Sequence, residues 1–344
     1  YYTVGYRQPY MTEGAEYYSF DGHYFYASYE QMARDYIANT HAGAINPATP
    51  YYNYYQYLSH RTQTVYTADQ INNYIASRTA DTSKLRNTGA AFIEYQNTYG
   101  SNAILMFGLS VNESGWGTSQ IARDKNNLFG HGAVDSNPYY GANGYASPAD
   151  SIRYHAQYFV SRGYLDPTDF RYFGPHLGDK NSGMNVKYAS DPYWGEKAAS
   201  QAYLLNEFYG NYSDINRYTI LICDGDQKIY KYTAASNYFY STGNGSKPYP
   251  TLDFPFTVLQ TVIGEFIGGS ETWYQIATDP DLKDDRTGFI IRPDGTYHPQ
   301  NSYGYVHASQ VRTIIPSTEN PRPPQPPTPV KFRGGDVNND GAVD

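Results

Sequence analysis

Residues 102–117 read NAILMFGLSVNESGWG, apolar on nearly every side as far as Asn112 and then polar and broken by glycine. A helix without a polar face belongs inside a core, and the glycine-rich break marks its end. Glu113 is therefore predicted at the end of a buried helix. The neighbouring patterns are also helical. Thr67 and Gln70 have capping-box spacing before INNYIASR, and TGAAFIEYQNTYG (88–100) carries a second helical period. Ser147, Pro148 and Asp150 supply an N-cap, a first-position proline and a third-position acid for a helix over SIRYHAQYFVSR. Asp191 and Pro192 repeat that arrangement, with Asp191 as N-cap, before YWGEKAASQAYLLNEFY, which closes the helical region near residue 210.

Upstream, residues 1–65 are dense in Tyr, Asn and Gly. YYSFDGHYFYASYE (17–30) suits a short hairpin, MARDYIANT reads as a helix, and PYYNYYQYLSHR (50–61) fits either a helix or an irregular segment. Beyond Asn216 the period becomes two, through RYTILICDG, KIYKYTA, FTVLQTVIGEF, ETWYQIAT, TGFIIRP and GYVHASQVRTI. The expected fold class is a mainly α catalytic domain plus a small all-β, barrel-like domain. The expected division is a Tyr-rich N-terminal extension packed on the catalytic domain (1–74), the catalytic domain (75–212), the β module (216–316), a Pro-rich linker (317–334) and a short tail (335–344).

Composition narrows the functions. At 344 residues the chain exceeds the size at which a single core stops growing, about 250–300 residues. Tyr accounts for 41 residues while charged residues make up only 17%, a supply of rings that suits carbohydrate, because each offers a flat apolar face and a hydroxyl rim. A net charge of −8 gives no footprint for nucleic acid. Cys223 is the single cysteine, which removes disulfides and Cys-based metal sites and reads as a small buried strand residue. No apolar run is long enough to span a membrane. The chain opens at Tyr1 without a leader, as a mature or excised form would, so secretion is expected from content alone.

The tail DVNNDGAVD places Asp336, Asn338, Asp340, Gly341 and Asp344 at positions 1, 3, 5, 6 and 9 of an EF-hand-type calcium loop, with no twelfth-position ligand. It resembles the start of a dockerin module. Calcium, and a cohesin-bearing scaffold as partner, are expected only of an intact module.

Cleaving a glycoside requires a carboxylic acid that keeps its proton near neutrality, plus a second group that handles water or developing positive charge. A Glu at the end of an apolar helix is partly desolvated, which raises its pKa. Glu113 meets that condition, and Trp116 beside it is a candidate packing wall. The segments NESGWGTSQIARDKNNLFGHGAVDSNPY, SIRYHAQYFVSRGYLDP and GMNVKYASDPYWGEKAA together make residues 75–210 resemble the glucosaminidase domains of glycoside hydrolase family 73, the endo-β-N-acetylglucosaminidases of bacterial autolysins. The resemblance implies a lysozyme-like fold and cleavage between N-acetylglucosamine and N-acetylmuramic acid in peptidoglycan. It places the catalytic Glu at Glu113, makes Asp135 in HGAVDSNP the candidate second carboxylate, and puts Tyr188 of YASDP at the reacting sugar. Trp116, Asn127, Phe129, Tyr145 and Tyr193 are the candidate substrate contacts.

Attack by the substrate's own acetamido group is the alternative to a second carboxylate. Neither route uses a cofactor, and the eight histidines show no HExxH spacing. The β module resembles bacterial Src-homology-3-like wall-binding domains in ETWYQIAT and GYVHASQVR, which adds a second attachment to wall polymer and an extracellular or wall-associated location. Two competing readings are a muramidase or lytic transglycosylase on the same fold, and a wall-binding protein without turnover.

Overall fold

The computed structural model describes residues 3–133, 137–210, 214–243 and 253–318. Asp135 and the Asp336, Asn338, Asp340 and Asp344 set lie outside the described residues. In chain order the helices are α1 (Tyr29–Ala38), α2 (Tyr54–Tyr57), α3 (Ala68–Arg78), α4 (Gly89–Tyr99), α5 (Ala103–Ser114), α6 (Gln120–Lys125), α7 (Pro138–Gly141), α8 (Pro148–Tyr154), α9 (Asn185–Tyr188) and α10 (Trp194–Tyr209). The strands are β1 (Ile220–Cys223), β2 (Lys228–Tyr230), β3 (Tyr238–Ser241), β4 (Phe254–Ile267), β5 (Ser270–Ala277), β6 (Asp281–Leu282), β7 (Phe289–Ile290), β8 (Tyr303–His307) and β9 (Arg312–Ile315).

Local chemistry sets the helix ends. The Asn102 side chain accepts the Ile104 and Leu105 N–H groups to open α5, and Gly115, at φ 55°, closes it by donating to Val111 O. Thr67 and Gln70 form the reciprocal capping box of α3. Ser147 accepts the Asp150 N–H at the start of α8, with Pro148 in the first position. Past Tyr154 the expected α-helix continues instead in π geometry over 155–164, ending where Leu165 N–H reaches back five residues to Val160 O.

Two further expectations are corrected. Asp191 is not the N-cap of the last helix, since that position falls to Tyr193. The Asp191 carboxylate instead accepts the Tyr193 N–H (2.9 Å) and pairs with Lys197 (2.6 Å). The hairpin over 17–30 reduces to one bridge, Tyr18 with Tyr26, because Asp21 Oδ1 takes the His23 and Tyr24 N–H groups close to the turn.

Every residue of α5 from Ala103 to Val111 is buried, and α10 crosses it closely at Gly108 and Ala198. The same core takes in Tyr52, Tyr54, Tyr55, Tyr57 and Leu58, so part of the Tyr-rich segment is interior packing. Arg61 joins the helices to the sheet by donating to Tyr99 O and Asp279 O and lying 3.9 Å above the Tyr297 ring.

The main sheet is seven-stranded and antiparallel, in the order β3-β2-β8-β5-β4-β1-β9. β1 is apolar throughout because both of its faces are covered: Ile220 and Ile222 pack into the helical core while Leu221 and Cys223 pack into the sheet's own core. Among the described residues β3 and β9 are the edge strands of this sheet.

Candidate active site

Glu113 occupies the last turn of α5, where burial raises its pKa and the carbonyl end of the helix also disfavours negative charge. Its Oε1 accepts the Trp194 indole N–H at 2.7 Å and the Asn112 amide at 3.3 Å, and these donors pull the pKa the other way. With Oε1 engaged by two donors, the proton belongs on Oε2. That oxygen faces Gly130, where an added Cβ would lie 3.6 Å away and where φ is +67°, a conformation that suits glycine. The backbone here closes up to Oε2 without a side chain to cover it.

The turn carrying Gly130 is shaped by Asn127. Its Oδ1 accepts the Phe129 and His131 N–H groups, and its Nδ2 donates to His131 O (2.9 Å) and Asn143 O (3.0 Å). Phe129 stacks on His155 at 3.9 Å, and its carbonyl accepts the Tyr188 hydroxyl at 3.2 Å. His131 shares hydrogen bonds with the Tyr145 hydroxyl (2.8 Å) and His155 (3.1 Å). Tyr188 lies flat on Trp194, centroids 4.5 Å apart, and both burial and the nearby Glu113 charge push its hydroxyl pKa up.

The structure therefore brings Glu113 and Tyr188 together, with Trp194 between them. It gives Asn127 and Phe129 a different place from the one expected: both are 1% exposed, so they shape the turn under the site and do not offer a surface to substrate. Trp116 is half-buried, with its ring against Tyr74 (5.8 Å) and Phe107 (6.1 Å) at the margin of the helical core. Tyr145 is half-buried beside His131, and Tyr193 is 45% exposed next to Trp194. Asp150 is engaged with Ser147 and Arg153 at the start of α8.

Sequence reasoning passed over Trp194. The available signal was an indole six residues after Tyr188 at the head of an apolar helix: once buried, its single N–H must find an acceptor.

Residues 89–207 match a glucosaminidase family model, described as mannosyl-glycoprotein endo-beta-N-acetylglucosaminidase. A relative from Streptococcus pneumoniae serotype 4, named "Putative endo-beta-N-acetylglucosaminidase", is 36% identical over 207 residues, 56% of this chain and 30% of its own length. A beta-N-acetylglucosaminidase of Bacillus subtilis is 29% identical over 143 residues, 38% of this chain and 16% of its own. The chain thus spans less than a third of these relatives. Among solved structures, S. aureus Autolysin E matches with a TM-score of 0.37 at 23% identity, over 46% of this chain and 73% of that one.

Proposed function

We propose that this chain is a peptidoglycan hydrolase, an endo-β-N-acetylglucosaminidase in which Glu113 protonates the leaving oxygen from Oε2. The observation that carries the reading is the Glu113 carboxyl itself: buried, raised in pKa, tied through one oxygen to Trp194 and facing Gly130 with the other. The family-model match and the naming of the relatives support the substrate class.

Asp135 is the proposed second group. It follows Gly130 by five residues, a span that reaches at most about 17 Å, so the chain can bring it to the site. Tyr188 is the proposed wall of the reaction site, backed by the buried Trp194, and Tyr145 the proposed sugar contact there, while the exposed Tyr193 is proposed to meet the glycan away from the cut bond. No metal enters this chemistry, and calcium is reserved for the Asp336–Asp344 motif. The lysozyme-like character of the helical half, wall attachment through the β half and an extracellular location belong to the same proposal.

The test is reducing-end release from purified peptidoglycan by the wild type and by Glu113→Gln, with mass spectrometry of the reduced products. New N-acetylglucosamine ends are expected, falling about 10²–10⁴-fold in the variant. Anhydro-muramic ends would assign a transglycosylase instead, and wall binding without release would leave a binding protein.

A further inference from the structure

A second cleft, of about 520 Å³, opens between the N-terminal segment and the start of α10. Its lining includes Phe20, Asn39 and His41 on one side and Asn181, Tyr193 and Glu196 on the other. The first wall lies outside the family-model match, which begins at residue 89. We infer that this cleft is a distal saccharide subsite, which takes a neutral N-acetylhexosamine unit of the same glycan strand that is cut at Glu113. The inference rests on the proposed function for its substrate.

Three observations point to a sugar. The volume falls in the range of small-ligand sites, about 300–1,000 Å³. The lining pairs rings with amide and carboxylate groups, as a polyhydroxylated ring with apolar C–H faces requires. Tyr193 offers an exposed ring, and His41 is stacked on Tyr24 at 3.8 Å and on Phe20 at 5.4 Å. The charges in the lining also disfavour an anion. Asp21, Asp179 and Glu196 face Lys180, whose ammonium already donates to the Asn185 and Ala189 carbonyls, and His23, which is paired with Asp179.

The cleft is built before any ligand arrives. Asp179 lies 3.5 Å from His23 Nε2 and accepts the Tyr57 hydroxyl at 2.9 Å, while Asp21 holds the His23 and Tyr24 N–H groups. Its lining adjoins the residue that holds Glu113. Tyr193 and Trp194 are adjacent residues, their Cα atoms about 3.8 Å apart, and Trp194 donates to Glu113. Lys180, which lines the cleft, is tied to Asn185 at the head of α9, the helix that carries Tyr188.

The test follows reducing-end release on bare glycan strands of increasing length, using the full chain as wild type, Phe20→Leu and Tyr193→Ala. Wild-type kcat/KM is expected to rise with length until the cleft is filled. Each variant is expected to lose about two- to tenfold on long strands, the worth of one ring contact, through KM and not kcat. Tyr193 is exposed, so Tyr193→Ala alone decides the matter if Phe20→Leu lowers the melting temperature.

Variants that match an active wild type at every length overturn the subsite and leave the proposed function standing. A length effect seen only on peptide-bearing strands assigns the cleft to stem peptide and also overturns it. If the wild type releases no ends, the proposed function falls, and calorimetry with the N-acetylglucosamine tetramer then judges the cleft separately. Binding lost in Tyr193→Ala supports the subsite, and binding unchanged or absent overturns it.

Discussion

A group that donates a proton in catalysis works only while it holds that proton, and at Glu113 two influences compete. Burial raises the pKa, whereas the Trp194 N–H and the Asn112 amide lower it by favouring the carboxylate. Trp194→Phe keeps a ring against Tyr188 and deletes the donor, so the basic limb of the kcat–pH profile is expected to move to higher pH. Asn112→Ala should move it the same way by less, since its contact is longer, 3.3 Å against 2.7 Å. A pH profile on a soluble glycan reads both, and a limb that moves to lower pH sinks the assignment of Oε1. Glu113 was legible because an apolar helix that stops at NESGWG needs no tertiary information to be noticed. Trp194 was not, because the acceptor for its N–H lies 81 positions away in the chain. Asn127 and Phe129 misled for a related reason. The segment NNLFG does not show on its face which way its side chains turn, and only the folded turn shows the Asn127 amide standing in for backbone partners.

The contact between α5 and α10 carries Glu113 and Trp194 to each other, and it depends on one residue without a side chain. A Cβ at Gly108 would collide with the Ala198 carbonyl oxygen on the facing helix, backbone that cannot rotate aside. Gly108→Ala is expected to cost about 1–3 kcal/mol as overpacking and, by prising the helices apart, to lower kcat as well. Urea unfolding checks the first, as a fall in midpoint at constant slope, and end release checks the second. Full stability with full activity would show that the crossing has slack. The starts of α3 and α8 were readable because caps are local: Thr67 and Ser147 each accept an N–H three residues on. The π turn over 155–164, the order of the seven strands and the burial of Tyr54 and Tyr55 were not, because each is set by partners distant in the chain.

Across the whole molecule, buried histidines couple folding to pH. Burial opposes charge on His60, His131 and His176 and brings each pKa down to about 3, and His155 is held well below the ordinary value by burial and by His131. An unfolded histidine titrates near 6.5. Between about 6.5 and 3 the unfolded chain therefore binds protons that the native chain refuses, so the stability these residues contribute is complete above pH 6.5 and is lost as pH falls. Each adds a slope of about 1.4 kcal/mol per pH unit once the unfolded form is charged. His23 has the opposite sign. Burial works against its charge, but its bonds to Asp179 and Tyr51 outweigh that and raise its pKa, so its contribution is present at low pH and lost as pH rises through the raised value. Asp214 and Asp253, raised by burial, also oppose the loss, while Asp179, whose pKa His23 helps to lower, adds to it. Four depressed histidines set the trend below pH 6.5, because the window of His23 lies above that value and four unfolded histidines take up protons below it. The urea midpoint is expected to fall steadily from pH 7 to pH 5, and His176→Asn, which keeps a polar side chain near Ser182, should make that decline shallower. A midpoint that stays level over the same range would mean that acid reaches these rings without unfolding the chain around them.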